Sequence, residues 1–229
     1  MSLTPDIEEV TIVIVGGFSP GLMSPHWFAF HELVSQQEAE EATVNLTTME
    51  VSQIDFGWCK FYADLQRLQI STTQSPWIRI SDLVSKLLAD VLPGSSCVAL
   101  GINTSLHFNV TSAQREKLGT SLAPREPWGG WGKDLFNVDH TAPSNGLISI
   151  AMRRSEGLEN KYNQYVDVAI RGSNLLKPYG VNVHVNDHYA FGEEKEGGAS
   201  IVEGLLAGEF ERSISDARVV GVDIVGRSI

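Results

Sequence analysis

The chain has 229 residues, of which 42% are hydrophobic and 20% charged; its mean hydropathy is near zero. That length holds one large or two small domains with a real core. Seventeen Lys and Arg against 28 Asp and Glu leave a net charge of −11, which excludes non-specific attraction to nucleic-acid phosphates or anionic lipid as a driving force. No apolar run approaches a membrane span and the N-terminus lacks a charged start followed by an apolar stretch, so the expectation is a cytoplasmic protein with no membrane partner. Cys59 and Cys97 form no CxxC pair and lie in apolar surroundings, which predicts two reduced, buried thiols.

In chain order, TIVIV at 11–15 predicts a short strand ended by Gly16 and Gly17. Ser24 as cap with Pro25 at the first helical position predicts a helix over 25–38, with Trp27, Phe30, His31 and Val34 on one side. The two glycines before it are no phosphate cradle, because the Lys-Ser/Thr of a P-loop is missing. Residues 42–73 predict three strands, with a parity shift near Thr48 to Glu50 that marks a bulge or turn. Ser75 and Pro76 repeat the cap-plus-proline entry, and Ile80, Leu83, Val84, Leu87, Leu88 and Val91 recur at helical spacing until Pro93 and Gly94.

CVALGINTSLHFNV, from Cys97 to Val110, alternates most cleanly. Val98, Leu100, Ile102, Thr104, Leu106, Phe108 and Val110 share one parity; Ala99, Gly101, Asn103, Ser105, His107 and Asn109 share the other. A period of two with one oily row predicts a strand packed on one face. Thr111 and Gln114 predict a capping box for a helix through Ala123. Residues 124–146 have no periodicity and read as a long loop carrying Trp128 and Trp131 among glycines. Three strands follow, LISIAMRR, YVDVAIRG and GVNVHVNDHYAF, then an acidic turn from Gly192 to Gly198. A last helix is predicted over 200–218, with Val202, Leu205, Leu206, Phe210, Ile214 and Ala217 inward and with close packing as the reason for Gly204 and Gly208. The tail 219–229 reads as a strand or an arm.

These elements predict an α+β fold: two similar β-α-β-β-β-α units, residues 1–94 and 95–218, forming one curved antiparallel sheet with helices on one face. No residue-level repeat carries this duplication; it rests on element order. RLQISTTQSPWIRISDLVSKLL, VALGINTSLHF and VNVHVNDHY resemble a sporadically distributed bacterial family of uncharacterised proteins of about this length. The resemblance covers roughly residues 45 to 215, with GINxxxHF its most recognisable piece. It implies no assigned activity, cofactor or catalytic residue. The doubled element order is also similar to the saddle of TATA-binding proteins, from which the acidic charge departs, so nucleic acid is not the expected partner.

Two surfaces are candidates. Asn182, His184, Asn186 and His188 share a parity, as Asn103 and His107 do on the earlier strand; the rows are either a binding surface or a solvated sheet face. Trp128 and Trp131 are either an exposed interface anchor or a lid folded over the core. His184 and His188 lie roughly 13 Å apart in a regular strand and cannot chelate one ion together. A site using His107 with one of them, plus Asp187 through a bulge, stays open. Asp187 and His188 are no catalytic dyad, since adjacent strand residues point to opposite faces. With no catalytic residue and no cofactor motif in the sequence, the favoured reading is a module for protein interaction or self-association, and the alternative is an enzyme or small-ligand binder with its site on the Asn/His face under the Trp loop.

Overall fold

The protein is described by a computed structural model over residues 3–134, 146–155, 162–192 and 198–229. The acidic turn expected from Gly192 to Gly198 and most of the 135–146 stretch lie outside the described residues.

Nine strands form one antiparallel, curved and unclosed sheet. The first part of the chain supplies β1 (Ile7–Gly16), β2 (Thr43–Thr47), β3 (Val51–Asp55), β4 (Lys60–Asp64) and β5 (Arg67–Thr72). The second supplies β6 (Cys97–Phe108), β7 (Ser149–Arg154), β8 (Asn163–Gly172) and β9 (Val181–Ala190). The order across the sheet is β2-β3-β4-β5-β1-β6-β9-β8-β7, so the first strand of each part meets at a central seam. There Val10 faces Thr104 and Ile12 faces Ile102.

The helices are α1 (Pro25–Phe30), α2 (Gln36–Glu41), α3 (Ile78–Lys86, continued by a π-helical turn Leu87–Val91), α4 (Ser112–Leu122), α5 (Gly129–Asp134) and α6 (Gly198–Ser228). The apolar parity of every central strand is the face they cover. Ile54, Phe61, Ile70, Ile12 and Ile102 form one cross-strand row on that face, each no more than 1% exposed. Burying such side chains contributes about 1.5–3 kcal/mol apiece. This explains why the oily parity of the central strand turns inward as a unit.

Several expectations are corrected by the structure. The helix expected over 25–38 breaks: Ser24 Oγ accepts from Trp27 N (3.2 Å), but Glu32 takes a left-handed φ of 54° and Ser35 with Glu38 builds a fresh capping box for α2. Phe28, edge-on to Phe56 and Phe61, is the buried ring, and Phe30 is 80% exposed. Residues 42–73 hold four strands rather than three, because Thr48 Oγ1 accepts from Val51 N (3.0 Å) and closes a turn between β2 and β3. Ser75 and Pro76 do not cap α3, whose N-cap is Trp77 with no side-chain bond.

The tail is helical. α6 runs 31 residues, lengthwise along the seam: Gly198 abuts Cys97, Gly221 abuts Leu106, and Arg218 makes a two-pronged ion pair with Glu8 of β1 (2.6 and 2.9 Å). Gly204 and Gly208 do not pack against the sheet, since a Cβ at either would meet nothing within 4 Å. The close-packed glycines are the two at the ends of the seam. Both outer strands carry exposed apolar side chains, Val44 and Leu46 on β2 and Met152 on β7. An irregularity between Val44 and Leu46 blunts the β2 edge as a pairing template.

Candidate functional site

The polar rows do meet. β6 and β9 pair so that His107 faces Asn182, Ser105 faces His184, Asn103 faces Asn186 and Gly101 faces His188, all on the face away from the helices. β8 extends the surface with Arg171 beside Asn182, Asp167 beside Asn186 and Tyr165 beside His188, and β7 adds Arg153 beside Asp167. Strand alternation positions all of them, because each row is the parity left over once the apolar parity is committed to the core.

The side chains form connected networks. Arg171 Nε donates to Asn182 Oδ1 (3.2 Å), which turns the amide Nδ2 toward His107 Nε2 (3.2 Å). His107 Nδ1 in turn lies 2.8 Å from Ser173 Oγ. The same Oγ accepts from Leu175 N and Leu176 N (3.1 and 2.8 Å), tying down the β8–β9 connection and leaving His107 only 2% exposed. His184 Nδ1 lies 2.9 Å from Ser105 Oγ. The Asn103 and Asn186 amides converge over Gly101, where a Cβ would lie 3.2 and 3.1 Å from them. Farther out, Arg153 grips Asp167 with two bonds of 2.7 Å and lies 3.7 Å over the Tyr165 ring, which stacks on His188 (4.4 Å).

Burial pushes the pKa of His107, His184 and His188 down; Arg171 adds to this at the first two and Arg153 at the third. The three imidazoles are neutral at pH 7. Asp167 is held below its ordinary range by the Arg153 hydrogen bonds.

Ser105 with His184 is the one hydroxyl–imidazole pair of this face at hydrogen-bond distance on its own strands. A nucleophile–base pair needs a third group that orients the base and stabilises its cation; the charged neighbour here is Arg171, which opposes that cation. The metal option fails on geometry: β9 pairs without a bulge along its length, so Asp187 points to the helix face, opposite His188. Among the described residues no group of three His, Cys, Asp or Glu side chains could hold an ion.

The face continues across the seam. Over β3 to β5 and β1 it forms a basin of about 500 Å³ that includes Gln53, Asp55, Lys60, Tyr62, Arg67 and Gln69. Charges on the open face balance: Lys60, Arg67, Arg153 and Arg171 against Glu9, Asp55, Asp64 and Asp167. Four and four cancel, so the net −11 of the chain is carried elsewhere.

Trp128 and Trp131 are not brought to the Asn/His rows. They lie in the turn and helix that follow α4, which packs on α6 on the opposite side of the sheet. Both are exposed, 56% and 61%, with ring centroids 5.5 Å apart; the lid alternative does not hold for them. Sequence reasoning missed Tyr165, Asp167, Arg171 and Arg153 as members of the face. Their signal was the period of two in YVDVAIRG and LISIAMRR, whose polar parity continues the Asn/His rows. It also passed over Asp187 as a break in the apolar parity of Val181, Val183, Val185 and Tyr189.

No protein-family model matches the chain, and no curated protein matches it. The fold is α+β, and among the described residues the helices cover one face of the sheet and not the other. Among the described residues, no helix is long and apolar enough to cross a membrane.

Proposed function

We propose that this protein is a protein-interaction or assembly module that binds its partner, or a second copy of itself, through the open sheet face. The observation that supports the reading is the state of that face: its imidazoles, amides and guanidinium groups are already hydrogen-bonded or stacked on one another. Side chains fixed before binding lose little rotamer freedom on binding. Aromatic and Arg groups held this way, such as Tyr165 with Arg153, are the residue types that dominate interface energies. The balanced charge of the face fits a protein surface better than a polyphosphate, which calls for net positive charge. The same hydrogen bonds occupy the imidazole nitrogens of His107 that acid–base chemistry would need free.

The experiment is affinity capture of the chain at its native expression level, in parallel with the variant Arg153→Ala/Tyr165→Ala/Arg171→Ala, combined with analytical ultracentrifugation of both. The expected result is a partner or a self-association state that the wild type shows and the variant loses. A wild-type chain that stays monomeric and captures nothing that the variant fails to capture overturns the reading.

A further inference from the structure

On the opposite side of the sheet, between α6 and strands β7 to β9, lies a cavity of about 310 Å³. Its floor is a cross-strand row in which Arg154 pairs with Val166 and Val166 with Asp187. This row continues the apolar row of the core, so a carboxylate stands where the other central strands place Ile or Phe. Asp187 is only 7% exposed. Gln164 Nε2 donates to its Oδ1 (2.8 Å) and the buried Tyr189 hydroxyl to its Oδ2 (2.9 Å). Those two bonds use half the acceptor positions of a carboxylate. Among the described residues no cation hydrogen-bonds Asp187: Arg212, which shares the cavity and interacts electrostatically with Asp187, is bonded to Glu209, and Arg154 stands across the cavity from it. The two acceptor positions left on this buried carboxylate are open to a donor that enters the cavity.

The geometry points to a binding site for a small zwitterion with a branched apolar body, an α-amino acid of the leucine type, with its ammonium on Asp187 and its carboxylate on Arg154. Asp187 and Arg154 sit two strands apart, about 10 Å between backbones. An ammonium and a carboxylate on one carbon span that gap with a hydrogen bond at each end. Val166 lies between the two anchors, and Val185 and Val220 wall the cavity, so the body of the ligand meets branched aliphatic groups. Arg212 is paired with Glu209, and Arg154 and Asp187 at the two ends of the row match the opposite charges of a zwitterion. The site lies on the helix face and is independent of the open face described above.

The test uses the full chain and three probes of one shape: L-leucine, 3-methylbutylamine, which lacks the carboxylate, and 4-methylpentanoate, which lacks the amine. Isothermal titration calorimetry and thermal unfolding at about 10 mM probe detect dissociation constants into the millimolar range. L-leucine is expected to bind at least about tenfold more tightly than either analogue, since each analogue forfeits one charged hydrogen-bonded contact. Arg154→Ala is expected to weaken leucine to the level of the amine while leaving the amine unchanged. Asp187→Asn removes the ammonium anchor, and Val220→Trp fills the cavity; each is expected to abolish binding. Should Asp187→Asn fail to fold, the Arg154 and Val220 variants still decide. No binding by any probe, equal binding of leucine and the amine, or leucine binding that survives both Arg154→Ala and Val220→Trp overturns the assignment.

Discussion

The seating of α6 along the seam can be tested with glycines, because one helix carries glycines of opposite kinds. At Gly208 a Cβ would meet nothing within 4 Å. Gly208→Ala should therefore collect the propensity difference alone, a stabilisation of about 0.5–1 kcal/mol. At Gly221 the same Cβ would lie 2.4 Å from Leu106 Cδ1, inside an ordinary carbon–carbon contact by about 1.2 Å. Leu106 is fully buried and has little room to yield. Overpacking of this kind costs about 1–3 kcal/mol, so the net effect of Gly221→Ala is a loss of about 0–2 kcal/mol after the propensity gain. Gly198 is worse, since its Cβ would fall on the backbone carbonyl of Cys97, and Gly198→Ala must lift the start of the helix off β6. Urea unfolding of the three variants and the wild type gives the order Gly208→Ala, wild type, Gly221→Ala, Gly198→Ala. For a chain of this size 1 kcal/mol moves the Tm by about 2–4 °C, so the order is measurable. If Gly221→Ala stabilises as much as Gly208→Ala, α6 does not rest on β6 and the layer described above is wrong.

Stability should fall as the pH drops below about 6.5, the ordinary histidine value. His107, His184 and His188 have depressed pKa values in the folded chain, so the unfolded chain takes up their protons first; their contribution is complete above that pH and is lost as the pH falls through the folded values. His184→Gln should flatten that slope below about pH 6.5, as read from urea midpoints across pH; an unchanged slope rejects the assignment. Phe28→Ala should cost about 3–5 kcal/mol and Phe30→Ala within about 0.5 kcal/mol of nothing, and equal effects by denaturant unfolding would contradict the break after α1. Burial pushes the Cys59 thiol up to about 12 and the Cys97 thiol to about 11, so iodoacetamide at pH 8 should label neither until the chain unfolds; fast labelling of the native protein would refute their burial.

Wherever a period was long and its neighbours were local, the sequence alone was enough. The rows of Ala99 to Phe108 and Val181 to Ala190, the inward stripe of α3 and the Thr111 capping box all stand as the pattern implies, because one buried face imposes one parity or one stripe; the predicted row fails at its start, where a register shift beside β1 puts Cys97 rather than Val98 in the core. That Asp187 and His188 face opposite ways followed from alternation alone. Decisions that depend on distant partners were out of reach. Whether Gly204 or Gly221 lies against the sheet depends on how α6 is rotated over β6, and both read as the same helical weakness in the chain. Phe28 rather than Phe30 goes inward because the rings of Phe56 and Phe61 wait for it. The Trp pair lies on the helix side because α4 carries it there. The meeting of Asn103 and His107 with Asn182 to His188 needed β6 and β9 to be neighbours in exact antiparallel register across about 75 residues of intervening chain, and only the closed hydrogen-bond ladder between them sets that register.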